Sequence, residues 1–173
     1  ELSTKNSAAL NQALSALSYR EKELSKITGE LTRHDSLTLA LLSDSKKTLG
    51  PDAKVKVAGG SLVISESLEN LFGSDTGSEL KTGSQNWISG IAELLKAHPE
   101  TQVRIEGLSM VGDLALASKQ ALAVMNALRK IPELKDKPIF VTGRDGNFSE
   151  GIDVVLHPDY RKFYAMVKDD IKQ

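Results

Sequence analysis

The chain opens on a stretch in which leucine returns every seventh residue, at Leu10, Leu17, Leu24 and Leu31. This is the d-position spacing of a heptad, and it predicts a long helix carrying a narrow leucine stripe. The seam stops at both ends, because the next positions out are Ser3 and Thr38. The matching a positions are Ser7, Leu14, Glu21 and Thr28, so Leu14 alone is strongly apolar there. Such a stripe either docks on its own domain or pairs weakly with a second copy. Leu10, Leu14, Leu17, Leu24 and Leu31 are therefore the candidate dimerisation residues. Beyond His34 the apolar positions shift to Leu37, Leu41 and Leu42, which predicts a kink or a new helix near Asp35 and Ser36.

Gly50-Pro51-Asp52 stops this segment, and the period then falls to two. Val55 and Val57 alternate with Lys54 and Lys56, Gly59-Gly60 offers a turn, and Leu62, Val63 and Ile64 follow, which reads as a hairpin. Residues 66–83, rich in Ser, Gly and Thr, read as irregular. Trp87, Ile88, Ile91, Leu94 and Leu95 recur at helical spacing up to Pro99. Val103, Ile105 and Gly107 alternate with Arg104 and Glu106 as a strand. A second helix over 113–130 then places Leu116, Ala121, Val124, Met125 and Leu128 on one face. Ile139–Val141 and Ile152–Leu156 read as two more strands. A closing helix from residue 159 carries Tyr160, Phe163, Tyr164, Val167 and Ile171 on one side.

The order implies an α+β fold, with a helical segment over 1–49 and a domain over 50–173. Strand–helix–strand units close by right-handed crossovers, and the last two strands are near enough in sequence to pair as neighbours. A mixed sheet with helices on one face follows.

Composition narrows the partners. Twenty-two Lys and Arg against 23 Asp and Glu leave no basic excess to neutralise phosphates, and aromatic residues are only 5% of the chain. No nucleic-acid partner is expected. No apolar run approaches the roughly 18–20 residues that span a bilayer. The first residue is Glu1 and no signal-peptide pattern precedes it, so the chain reads as a part of something longer, with any membrane anchor upstream. The histidines His34, His98 and His157 lie far apart without HExxH or HxH spacing, and there is no cysteine. No metal site and no cofactor are expected. No GxSxG, GxxxxGK[ST] or post-strand GxGxxG pattern is present, so enzymatic chemistry is not expected either.

One run is more specific. Leu71-Phe72-Gly73, Glu79-Leu80-Lys81, Ile91-Ala92, Leu94-Leu95, Pro99 and Val103-Arg104-Ile105-Glu106-Gly107 together resemble the OmpA-like family, especially its MotB-type branch. The family's next helical motif can be laid on Asp113, Leu116, Ala117, Gln120, Ala121, Val124 and Leu128. Its closing strands match Val141-Thr142-Gly143 and Ile152-Asp153-Val154-Val155. The resemblance spans residues 54–157. It implies an OmpA-like βαβαββ mixed sheet, here preceded by a long helix and followed by a short one. It also implies a periplasmic, peptidoglycan-associating domain of an inner-membrane protein, working as a homodimer with a MotA-like membrane partner.

In wall-binding members of that family, the Asp of a GHTD motif and an Arg on the following helix grip diaminopimelate. A zwitterionic end presents an ammonium and a carboxylate, so the site supplies a carboxylate and a forked guanidinium. Here GHTD becomes Gly107-Leu108-Ser109-Met110, so Met110 stands at the Asp position and Gln120 at the Arg position. Both family positions are degenerate. The polar residues left nearby, Ser109, Asp113, Lys119, Gln120, Arg144 and Asn147, are the candidate peptidoglycan-binding residues. These departures resemble the non-flagellar branch, the MotB-like auxiliary proteins of type 1 secretion systems, which implies a proton-channel subunit. The alternative is an OmpA-like protein-interaction and dimerisation module that has lost wall binding.

Overall fold

A single uninterrupted helix, α1 (Leu2–Leu49, 48 residues), begins the computed structural model, which describes residues 2–171. The break expected at Asp35-Ser36 does not occur. Neither residue is a Pro or Gly that would interrupt the hydrogen-bond ladder, so no second helix starts there and the helix runs through both. The elements that follow are β1 (Lys54–Ala58), β2 (Ser61–Glu66), α2 (Leu68–Phe72), α3 (Gln85–Ala97), β3 (Gln102–Ser109), α4 (Leu114–Arg129), β4 (Ile139–Asp145), β5 (Gly151–His157) and α5 (Arg161–Ile171).

The stretch read as irregular contains α2. Ser67 caps it by accepting from the Asn70 N–H at 3.2 Å, and Gly73 closes it in the left-handed region at φ 79°. Five residues are too few to show a helical period, so only the caps could have revealed it.

The sheet runs β1-β2-β5-β3-β4, with β3 and β4 parallel and the other pairs antiparallel. The last two strands are thus not neighbours. The β3–α4–β4 crossover lays β4 on one side of β3, and β5 fills the gap between β3 and β2. The reason is visible in β5 itself. Ile152, Asp153, Val154, Val155 and Leu156 are all buried, and a strand buried on both faces belongs in the interior of a sheet.

Cross-strand register sorts the side chains into two faces. Val55, Ile64, Val154, Ile105 and Val141 form one inward row across the whole sheet, meeting Ile91 and Leu95 of α3 and Val124 and Leu128 of α4 in the core. The neighbouring outward row is Lys54, Ser65, Asp153, Glu106 and Thr142, and it is polar throughout. The helices α3 and α4 cover one face only.

By contact the chain divides into two compact units, one of them Ser36–Asp159 and the other the described residues before and after it. The compositional boundary at 49/50 marks the end of α1. Within the larger unit, the last turns of α1 are part of the core. Leu41 is fully buried, the Thr38 hydroxyl donates to the Gly60 carbonyl at 3.0 Å, and Asp44 pairs with His98 at 3.0 Å. Within the other unit, the edge of the His34 ring meets Tyr160 at 4.7 Å and Phe163 at 6.4 Å between centroids. Of the four described residues expected on the apolar side of this last segment, Tyr160, Phe163 and Val167 are half-buried, whereas Tyr164 is exposed. The side chain of Ile171 lies outside the described residues.

Leu10, Leu14, Leu17, Leu24 and Leu31 are between 47% and 63% exposed.

Candidate functional site

At the carboxyl end of β3 the chain turns through residues 110–113 and enters α4. Asp113 makes that entry by accepting from the Leu116 N–H at 2.9 Å, the bond of an N-cap. Opposite stands the loop between α2 and the 3-10 turn at Thr82–Ser84. Between them lies a cleft of about 230 Å³, lined by Asp75, Ser109, Met110, Asp113, Gln120 and Glu150 among others.

Gln120 determines what this cleft can do. It projects from α4, is almost fully buried, and donates its amide to the carbonyls of Asp75 and Gly77, each at 2.8 Å. Both of its N–H groups are spent on tethering the facing loop. What it can still offer a ligand is its carbonyl oxygen, an acceptor. Met110 is half exposed at the mouth. Ser109 is buried at the strand end, where its carbonyl accepts from the Gly146 N–H at 2.9 Å.

The structure therefore brings together Ser109, Met110, Asp113 and Gln120. It places the other candidates elsewhere. Lys119 is exposed on α4 and does not line the cleft. Arg144 belongs to the outward face of the sheet, where its Nε donates to Glu106 at 2.5 Å. Asn147 sits in the β4–β5 turn at φ 47°, donating its backbone N–H to Asp145 at 2.8 Å.

Two lining carboxylates escaped the sequence reading. Asp75 and Glu150 lie in loops without periodicity, and only the return of β5 beside β3 and the Gln120 tether bring them to the cleft. The result is a one-signed site, with carboxylates at Asp75, Asp113 and Glu150 and no Lys or Arg in the lining. It offers acceptors to an ammonium and no cation to a carboxylate. Among the described residues no group of His, Asp and Glu comes together as metal ligands.

On the other face of the sheet, Glu106 is gripped from both sides, by Arg104 Nε at 2.6 Å and by Arg144. Burial alone would raise its carboxyl, but the two guanidinium hydrogen bonds outweigh this and hold it below the ordinary glutamate value. Asp153 beside it accepts from the Ser65 hydroxyl at 2.6 Å.

A MotB-like protein from Desulfovibrio vulgaris superimposes with a TM-score of 0.62 at 10% identity, over 73% of this chain and 98% of that one. The fold is MotB-like. The periplasmic domain of Helicobacter pylori MotB matches with a TM-score of 0.57 at 12% identity, covering 71% of this chain and 93% of that one. The cell wall anchor of the type VI secretion system from Pseudomonas aeruginosa matches at 0.56 and 15%, over 70% and 97%. Neither a family model nor a curated protein matches the sequence itself. The MotB-like architecture is thus shared at low sequence identity. Among the described residues, no helix is long and apolar enough to cross a membrane.

Proposed function

We propose that this chain is a periplasmic, peptidoglycan-associating domain of a MotB-like subunit, and that the acceptor-lined cleft at the end of β3 is its wall contact. The observation that supports this is the cleft's one-signed lining of Asp75, Asp113 and Glu150 on a MotB-like fold. An ammonium, such as that of the wall's diaminopimelate, meets carboxylates here, while its carboxylate finds no guanidinium. Half of the zwitterion grip remains, so the association is weak and salt-sensitive.

Sedimentation with purified sacculi tests this reading. Wild type should be retained at low salt, and the combined change Asp75→Asn, Asp113→Asn and Glu150→Gln should release it. Asn keeps the N-cap at position 113, so folding is preserved. No retention of wild type, or retention indifferent to the three changes, would remove the reading.

The finer assignment is an auxiliary subunit of a type 1 secretion system, anchored in the inner membrane upstream of this domain and contributing to a proton channel with a MotA-like partner. It is supported by the replaced grip residues, which set the chain apart from wall-gripping relatives. Co-purification of a MotA-like protein with the full-length subunit from detergent extracts is the corresponding test. The exposed leucines of α1 support homodimerisation in the same arrangement.

A second reading, an interaction module without wall binding, is favoured by one feature. Both N–H groups of Gln120 are engaged in holding a loop. The sacculus assay separates the two readings.

A further inference from the structure

Residues 36–159 carry their most exposed large apolar side chains at one end of the sheet. Val111 is 86% and Phe148 92% exposed, with Met110 and Leu114 near half. They come from the β3–α4 loop, the first residue of α4 and the β4–β5 loop, and the two loops leave the sheet side by side. Ser109 and Asp145, the last residues of β3 and β4, are register partners, and the Gly146 N–H bonds back to the Ser109 carbonyl. Neither Val111 nor Phe148 contributes a buried surface to the core.

Phe148 also stands at φ 68°, directly after Asn147 at φ 47°. For a bulky side chain the left-handed region is sterically poor, and Gly or Asn would occupy it at lower cost. An aromatic group held in that conformation and pointed at solvent weakens the fold without helping it. Exposed apolar clusters on strained loops are the mark of a contact surface.

The charge around the cluster limits what covers it. Asp75, Asp113 and Glu150 line the adjoining cleft, Asp145 fixes the turn, and the nearest guanidinium, Arg144, is drawn to Glu106. Anionic lipid headgroups are repelled by such a rim. An extended segment that alternates aliphatic and basic side chains is complementary to it, with the aliphatic groups on Val111 and Phe148 and the cations against the carboxylates. We propose that the β3–α4 and β4–β5 loops form a docking surface for a basic, aliphatic segment of a second protein. This goes beyond the wall association, with which it shares the carboxylates of the cleft, and its apolar anchors Val111 and Phe148 are its own.

The probe is a short labelled peptide of alternating valine and lysine, titrated onto the full chain, with a valine–glutamate peptide as control. The lysine peptide should bind and shift the backbone amides of residues 109–114 and 146–150. Binding should weaken with salt. The double change Val111→Ser with Phe148→Asn should weaken it by about tenfold or more, the size of lost interface anchors. The same change should leave the melting temperature unchanged or raised, because Asn accepts the left-handed conformation. That split separates docking from a structural role. Equal binding of both peptides, amide shifts elsewhere, or unchanged binding by the double variant would overturn the proposal. Capture by vesicles of phosphatidylglycerol and phosphatidylcholine, or self-association abolished by the double change, would overturn it as well, by naming a different occupant.

Discussion

A Cβ placed on Gly107 would lie 1.9 Å from the carbonyl oxygen of Ala117, so α4 rests on β3 at a separation that only glycine allows. The obstacle is backbone, which cannot swing aside as a flexible side chain would. Gly107→Ala should therefore push α4 off the sheet and cost about 1–3 kcal/mol or more, as overpacking does. Urea melts measure this directly, and a loss under about half a kcal/mol, the range of ordinary surface changes, would show that the two elements have slack.

Gln120 yields a prediction opposite to what the family motif alone suggests. Introducing the charged pair that the resemblance implies, by Met110→Asp with Gln120→Arg, removes the tether from Gln120 to the carbonyls of Asp75 and Gly77. Asp75 is exposed and Gly77 half-buried, so water can take over and each lost bond costs about 0.5–1.5 kcal/mol. The double variant should be less stable and should be cut faster by protease within residues 73–81, without a gain in sacculus retention. Firm retention with unchanged proteolysis would show that the loop does not rely on Gln120.

Glu106 gives the fold a pH dependence of known sign. Its folded carboxyl is held below the ordinary glutamate value, so its stabilisation is present above that value and disappears as pH falls through the folded one. Glu106→Gln should lower the urea midpoint at neutral pH. The gap from wild type should close progressively in acid, below the usual glutamate range. A gap that persists undiminished at low pH would mean that packing, not charge, explains the loss.

The leucine stripe should make association weak and concentration-dependent, because Glu21 and Thr28 sit at a positions where apolar groups would strengthen a coiled coil. Sedimentation equilibrium of the full chain should show a monomer–dimer balance that Leu17→Ser with Leu24→Ser shifts to monomer. A wild type that stays monomeric at high concentration would remove the stripe's role in pairing.

Much of the fold was legible because burial imposes a period. Val103, Ile105 and Gly107 alternate as expected, and Ile105 is fully buried. The continuous burial of β5 was also written in Ile152-Asp153-Val154-Val155-Leu156, yet closeness in sequence argued for the wrong neighbour, β4. Strand order depends on which edge stays open after the crossover, and no local pattern encodes that. The site was legible only in part, for the same reason. Ser109, Met110, Asp113 and Gln120 share one strand end and one helix start. Lys119 is next to Gln120 in sequence but outside the cleft, Arg144 lies on the outward face of the sheet, and Asp75 and Glu150 are far in sequence but line the cleft.

The interior position of β5 also orders events in time. As the chain leaves the ribosome or a translocation pore, β1 and β2 form one ladder and β3 and β4 another, each with a raw edge of unpaired backbone groups at β2 and β3. Only the last strand joins the two halves, through residues separated from β2 by some of the longest intervals in the chain, such as Ser65 and Asp153. Long-range closure of this kind is slow, and it leaves an adhesive intermediate until it is complete. Any truncation that removes β5 should therefore yield two sticky half-sheets instead of a smaller folded domain, a state that aggregation and loss of protease resistance would report.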